Sequence, residues 1–211
     1  HGRYGEDGGI QRLLDRMGIP FVGPAAFASS FVMNKVLAKE AMKKHGVKTP
    51  THTILKVSPY LEKEALVAFK KFSPPLVIKP LHGGSSLGVT LANTFDKFYE
   101  GVKLAFEHGT EVIVEEWKRG KEATVGVLDG FRGQKHYSLL PIEIIPAKEH
   151  SFFNYEAKYD GGTKVVPIGS FTSVERMELE RLGKLAHEVL GQRHYSRSDF
   201  IVSPRGIYFL E

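Results

Sequence analysis

Cysteine is absent from the 211-residue sequence, which excludes disulfides, thiol nucleophiles and cysteine-ligated zinc. That absence fits a reducing compartment, and a cytoplasmic location is the expectation. No apolar run approaches the ~18 residues that a membrane-crossing helix needs. The opening residues, HGRYGEDGG, have no apolar stretch of the signal-peptide kind. Basic runs interleaved with aromatic residues are lacking too, so no motif supports nucleic-acid binding. Internal repeats and low-complexity tracts are not found. The sequence begins at a histidine and stops at IYFLE, inside a strand-like run. It therefore reads as a segment of a longer protein.

What is present is a globular composition, 42% hydrophobic and 25% charged, with a formal net charge of +5. Two readings of that charge stand: an ordinary surface with a slight basic excess, or attraction for phosphates and other small anions. The length allows one large domain or two modest ones, either able to bury a core.

Apolar residues at Ile10, Leu13, Leu14 and Met17 form a helical stripe closed by Gly18. Residues 29–46, SSFVMNKVLAKEAMKKHG, read as one longer helix, capped by Ser29 or Ser30, with lysines in its last turn and Gly46 as its stop. Residues 51–57 read as a strand, 61–72 as a helix and 76–80 as a buried strand. Strands over 86–91 and 111–117 flank a helix near 94–107. EATVGVLDG and HYSLLPIEII alternate and are expected to pair antiparallel. Residues 146–166 are polar, glycine-rich and aromatic, with the character of a lid or binding loop. A helix over 174–190 and a terminal hairpin complete an α+β mixture with a seam near Arg119 and Gly120.

Two stretches carry candidate chemistry. In VIKPLHGGSSLGV a lysine ends an apolar strand and a glycine–serine turn follows it. This order is the reverse of the G-x-x-x-x-G-K-[ST] loop, where the lysine follows the glycines. Backbone N–H groups of Gly83, Gly84, Ser85 and Ser86 can converge on phosphate oxygens, and Lys79 can reach the same anion. A plain glycine-rich hairpin with a solvated lysine is the competing reading. In the terminal hairpin, SPRG suits a type I turn with Gly206 as a bulge residue, pairing Ser203 with Ile207 and setting Asp199 opposite Glu211. Like charges directly opposite are destabilising unless a cation lies between them. Oxygen ligands suit a hard cation such as Mg²⁺. Alternatively, Arg197 on the same strand face neutralises Asp199.

Taken in order, HGRYGEDG, MGIPFVGP, MNK, VIKPLHGGSSLGV, VEEW, GKEATV, NYEAKY, SRSDF and YFLE resemble the D-alanine–D-alanine ligases of the ATP-grasp superfamily over nearly the whole chain. The resemblance implies an ATP-grasp fold of two α+β sub-domains. Residues 1–30 would be the remnant of an N-terminal α/β substrate-binding domain, 31–119 the central sub-domain and 120–211 an incomplete C-terminal one.

It also implies ligation of two D-alanines for peptidoglycan precursor synthesis, and hence cell-wall biogenesis and cell shape. ATP would phosphorylate the first carboxylate, and the second amine would attack the acyl phosphate. Lys35 and Lys79 would offset the α- and β-phosphates. Mg²⁺ or Mn²⁺ would sit on Asp199 and Glu211. Arg197 would stabilise the oxyanion, an effect worth ~3 kcal/mol per donor. Glu115 with the backbone of Glu116 and Trp117 would bind the adenine edge, and Glu122 the ribose. Val77, Gly84, Lys118, Phe152, Ile201 and Leu210 would complete the nucleotide pocket. Lys158 would meet the γ-phosphate and the second carboxylate. Ser85 and Tyr159 would pin the lid shut against water, Ser86 would bind phosphate in the serine loop, and His1 would face the first substrate.

The same resemblance sets further expectations. The family's opening βα segment and the metal- and oxyanion-binding stretch that follows Glu211 are missing, so the 211-residue chain alone is expected to bind ATP poorly and not to ligate. Its parent is expected to be a homodimer. Ser196 stands where relatives often have glycine. The alternatives are a D-alanine–D-lactate ligase, disfavoured by Tyr159 in place of a histidine, and a non-catalytic nucleotide-binding module, disfavoured by Arg197 and Lys158.

Overall fold

The computed structural model describes residues 4–84, 87–145 and 164–211. They divide between two compact units, one made from residues 4–49, 119–145 and 164–211, the other from the contiguous stretch 50–118.

The contiguous unit is a sheet with two helices on one face. Its strands β1 (His52–Lys56), β2 (Leu76–Pro80), β3 (Thr90–Ala92) and β4 (Glu111–Glu116) lie in the order β1-β4-β2-β3, every pair antiparallel. The helices are α4 (Leu61–Lys71) and α5 (Phe95–Phe106), the latter capped by Thr94, whose Oγ1 accepts from Lys97 N–H. Leu55, Leu76, Ile78, Val112 and Val114 turn one strand face toward Ala65, Phe98 and Val102 of the helices, as the period-two alternation of strands dictates. Val77, Lys79, Ile113 and Glu115 take the opposite face and are also buried.

The strand expected over 86–91 is shorter, because β3 begins only at Thr90. Gly88 explains the late start. It turns left-handed at φ +67°, where a Cβ would lie 2.6 Å from the His108 ring, so extended pairing cannot run back through it.

The other unit holds α1 (Gly9–Arg16), α2 (Ala26–Met33) and α3 (Lys35–Lys44). Its second sheet orders β10 (Gly206–Phe209), β9 (Tyr195–Ser203), β5 (Lys121–Asp129), β7 (Ile142–Ile145) and β8 (Lys164–Pro167), with β6 (His136–Ser138) also on β5. A long helix, α6 (Ser173–Val189), starts at a capping box between Thr172 and Glu175. It sits close to the sheet at Gly183, where a Cβ would come within 2.6 Å of Val125. Ala123, Val125, Phe200, Val202 and Phe209 form the core with Leu179, Leu182 and Ala186 of α6.

Four expectations are corrected in this unit. Residues 29–46 are two helices. Asn34 leaves the helical conformation at ψ 101° and its Oδ1 accepts from the N–H groups of Val36 and Leu37, so it caps α3, while Ser29 is buried inside α2. Residues 31–49 join the segments around α6 and not residues 50–118, because Ala38, Met42 and Val47 pack into the core of Phe200 and Phe209. HYSLLPIEII pairs antiparallel with β5 as expected, but as two strands, β6 and β7, separated by residues 139–141, since Pro141 has no N–H for the ladder. The hairpin register is also one residue tighter than expected: Ser203 pairs with Gly206, which accommodates φ +123°.

Among the described residues no helix is long and apolar enough to cross a membrane.

Candidate active-site residues

The hairpin regains its lost residue at the chain end. Asp199 N–H donates to the Glu211 carbonyl at 2.8 Å while Leu210 N–H donates to the Asp199 carbonyl at 2.9 Å. Two residues of one strand thus oppose one of the other, which is a β-bulge. Asp199 and Glu211 are neighbours through this bulge and not through the bulge at Gly206 that the sequence suggests.

Strand alternation places the remaining groups. Phe200 and Val202 turn to the core, so Arg197, Asp199 and Ile201 take the other face of β9. The register sets Gly126, Thr124 and Glu122 of β5 beside those three in turn. Asp199 accepts from Thr124 Oγ1 at 2.6 Å and from Arg197 Nη2 at 3.2 Å. The reading in which Arg197 neutralises Asp199 therefore describes this arrangement. It is compatible with a cation, because a carboxylate has further acceptor sites.

Two lysines arrive from α3. Lys35, its first residue and 7% exposed, lies 3.9 Å from Glu211 Oε2. Lys39, one turn later and fully buried, donates from Nζ to the Leu210 carbonyl. The Asn34 cap fixes the start of α3 and so the positions of both. Lys39 and Thr124 escaped the sequence reading, although their signals were present: Lys39 follows Lys35 by four positions on a helix, and Thr124 shares a strand face with Glu122.

In the contiguous unit, Lys79 Nζ pairs with Glu115 Oε2 at 2.8 Å, the residues being 8% and 2% exposed. Val77 is the register partner of Glu115, so Lys79 reaches Glu115 along the diagonal of the sheet. This buried pair replaces the solvated lysine considered from sequence. Glu116 receives Lys118 Nζ at 2.7 Å. That hydrogen bond, more than any other influence, holds the Glu116 carboxyl below the ordinary carboxylate range. Glu116 N–H donates to the Thr51 carbonyl and Trp117 N–H to the Pro75 carbonyl. Gly84 is half-buried, and its carbonyl accepts from Leu87 N–H at 3.4 Å.

The residues therefore fall into two sets. Lys35, Glu122, Arg197, Asp199, Ile201, Leu210 and Glu211 belong to one unit, and Val77, Lys79, Gly84, Glu115, Glu116, Trp117 and Lys118 to the other. His1, Ser85, Ser86, Phe152, Lys158 and Tyr159 lie outside the described residues.

Two adjacent carboxylates beside a hydroxyl form an all-oxygen donor set, which fits Mg²⁺ or Mn²⁺ better than softer ions. The lysines and Arg197 supply the positive charge that phosphate oxygens require.

Comparison with known proteins bears on these sets. The pattern described as "D-ala D-ala ligase C-terminus" matches residues 41–211. A D-alanine–D-alanine ligase of Geotalea uraniireducens is 38% identical over 218 aligned residues, covering all of this chain and 65% of the relative. One from Pelobacter propionicus is 37% identical, again over all of this chain and 65% of the relative. The chain thus spans less than two thirds of these relatives' length.

Among solved structures, the VanG D-Ala:D-Ser ligase of Enterococcus faecalis superposes with a TM-score of 0.86 at 30% identity, over the whole chain and 60% of its own. The D-alanine–D-alanine ligase of Bacillus anthracis complexed with ATP gives 0.79 at 30% identity, over the whole chain and 65% of its own. Sequence pattern, relatives and fold agree: the chain belongs to the D-alanine–D-alanine ligase family and has its ATP-grasp fold.

Proposed function

We propose that this chain is the ATP-binding and ligating portion of a D-alanine–D-alanine ligase, which joins two D-alanines through an acyl phosphate in the making of peptidoglycan precursors. The observation that carries the reading is the acidic pair Asp199 and Glu211, set side by side by a bulge, with Arg197 on one member and Lys35 near the other.

In the first step a carboxylate oxygen of one D-alanine attacks the γ-phosphorus, and ADP leaves. In the second the amine of the other D-alanine attacks the acyl carbon and loses a proton. The tetrahedral intermediate collapses with cleavage of the carbon–oxygen bond, and inorganic phosphate departs. Arg197, whose side chain is 62% exposed on the face away from the core, is the donor suited to the developing oxyanion. Lys35 and Lys79 offset phosphate charge, and the buried Glu115 and the carbonyls of residues 116–117 suit the adenine edge, the N–H groups of both being engaged with Thr51 and Pro75. Asp199 and Glu211 would hold a divalent ion, whose contribution when bound is to neutralise the β- and γ-phosphate oxygens. The reading includes a homodimeric, cytoplasmic parent, which light scattering and fractionation would check.

The test is phosphate release from ATP by the full-length parent with D-alanine, D-serine, D-lactate or no acceptor as second substrate. Dependence on D-alanine, with Arg197→Ala lowering kcat by about 10²–10³-fold, supports the reading. A preference for D-serine or D-lactate would move the protein to a sister specificity. Nucleotide binding without release would make it a binding module.

A further inference from the structure

At the end of β5 away from Glu122, three side chains that the ligase reading leaves unused meet. Asp129 ends β5, His136 begins β6 directly opposite it in register, and His187 comes from the last turn of α6. One ligand atom from each lies within 4.8 Å of the other two. Asp129 Oδ1 is 2.7 Å from His136 Nδ1 and 2.9 Å from His187 Nε2.

A simple hydrogen-bonded network explains only part of this arrangement. The contact of His136 Nδ1 with Asp129 is a hydrogen bond. His187 Nε2 meets Asp129 Oδ1 as a close polar contact outside hydrogen-bond alignment, and among the described residues His136 Nε2 is buried without a hydrogen-bond partner. The His187 side chain is 0% exposed. Buried polar atoms left without a hydrogen bond are uncommon, and the nitrogen of His136, in a ring whose centroid lies 5.0 Å from that of His187, calls for something to bind it.

We infer that Asp129, His136 and His187 form a binding site for a divalent transition-metal ion of the zinc class, tying β5, β6 and α6 together. Two imidazoles and one carboxylate are a donor set such ions take, with water able to complete four-coordination. Surrounding groups hold the ligands in place. His187 Nδ1 and Ser196 Oγ are 2.7 Å apart, which fixes that ring, and His194 N–H donates to Asp129 Oδ2 at 2.6 Å. Outer contacts of this kind are characteristic of metal-ligating histidines. They also give Ser196 a specific task. Asp129 lies five residues along β5 from Thr124, the partner of Asp199, so roughly 16 Å of strand separates this site from the acidic pair.

The experiment uses the full-length parent, stripped with a chelator and then titrated with Zn²⁺ against a chromophoric competitor, with Co²⁺ as a spectroscopic probe. The inference requires one tight Zn²⁺ per chain, a visible Co²⁺ band of four-coordinate intensity, and a rise in Tm on Zn²⁺ addition. His136→Ala, at a partly exposed position, should abolish the tight equivalent while circular dichroism shows the fold intact. Ser196→Ala should weaken it about tenfold. Asp199→Asn should leave it unchanged, which separates this site from the ligase reading. Absence of a stoichiometric site, or tight binding that persists in both His136→Ala and Asp129→Asn, would overturn the inference.

Discussion

Residues 50–118 form their sheet from one uninterrupted stretch and bury a lysine against a carboxylate within it, Lys79 on Glu115. The other unit is assembled from three stretches, and it keeps Arg197, Asp199 and Glu122 on the face of its sheet opposite Phe200 and Phe209. In the first unit the buried charges compensate each other. In the second the Arg197 side chain is 62% exposed beside Asp199, on the face away from Phe200 and Phe209. The difference separates two settings for a charged strand residue: a buried pair in the first unit, and a less enclosed group on the face away from the core in the second. Contiguity differs as well. Packing residues 4–49 against a sheet built from residues 121–209 costs more chain entropy before contacts form, so they depend on the hairpin at the far end of the chain.

The largest expected effects test that dependence. Phe200→Ala should cost about 3–5 kcal/mol, because Phe200 is fully buried and shares its core with Ala38 and Met42 of α3. Hydrogen exchange under mild denaturant should then lose protection in residues 35–44 and 195–209 together. Phe98→Ala, equally buried, should loosen residues 50–118 instead. If the residues of α3 lose protection with Phe98→Ala and not with Phe200→Ala, the division into units is wrong.

Of similar size is the charge pair. Lys79→Met alone should destabilise by about 3–5 kcal/mol, since it removes a buried counter-charge of Glu115, whereas Lys79→Met with Glu115→Leu should recover most of the loss. Urea denaturation measures both. In the full-length parent the stable double variant should still fail to turn over ATP, separating the pair's two roles.

Smaller still is the break between α2 and α3. Asn34→Ala should cost about 1 kcal/mol, and Ser30→Ala, at an exposed mid-helix position, close to nothing. Equal effects would restore the single helix.

The smallest effect concerns pH. Glu175 is held below its ordinary value chiefly by the hydrogen bond from Lys121, and then by that from Thr172 N–H. A carboxyl lowered on folding contributes stability that is fully present above its unfolded value near 4.5 and is lost as pH falls through the folded one. Glu175→Gln should flatten the acid limb of a stability–pH curve. Lys118 acts likewise on Glu116, and an unchanged limb in both variants would contradict these assignments.

Much of this was legible in the residues. Most strands and helices of 50–118 follow from short apolar runs and helical periodicity within one stretch of sequence. The chemistry-bearing residues stood out for a similar reason: Lys79 ends an apolar strand, and Asp199 alternates with core residues. What escaped depended on single φ/ψ values or on distant partners. Asn34 looks like any polar helix residue until its side chain turns back on α3. The bulge at residues 210–211 and the tight turn at Gly206 each shift the register by one residue, in opposite senses, so the neighbourhood of Asp199 and Glu211 came out of two compensating differences. Burial of Lys39 and convergence of Asp129, His136 and His187 needed the assembled sheet and α6, which no local pattern encodes.

The central claim is that Asp199, with Glu211, holds the divalent ion that the nucleotide brings. Initial rates of phosphate release by the full-length parent, titrated with Mg²⁺ at saturating ATP and D-alanine, test it most directly. Asp199→Asn should raise the Mg²⁺ concentration for half-maximal rate by about 100-fold or more. A Mg²⁺ dependence identical to that of the unsubstituted enzyme would contradict the account.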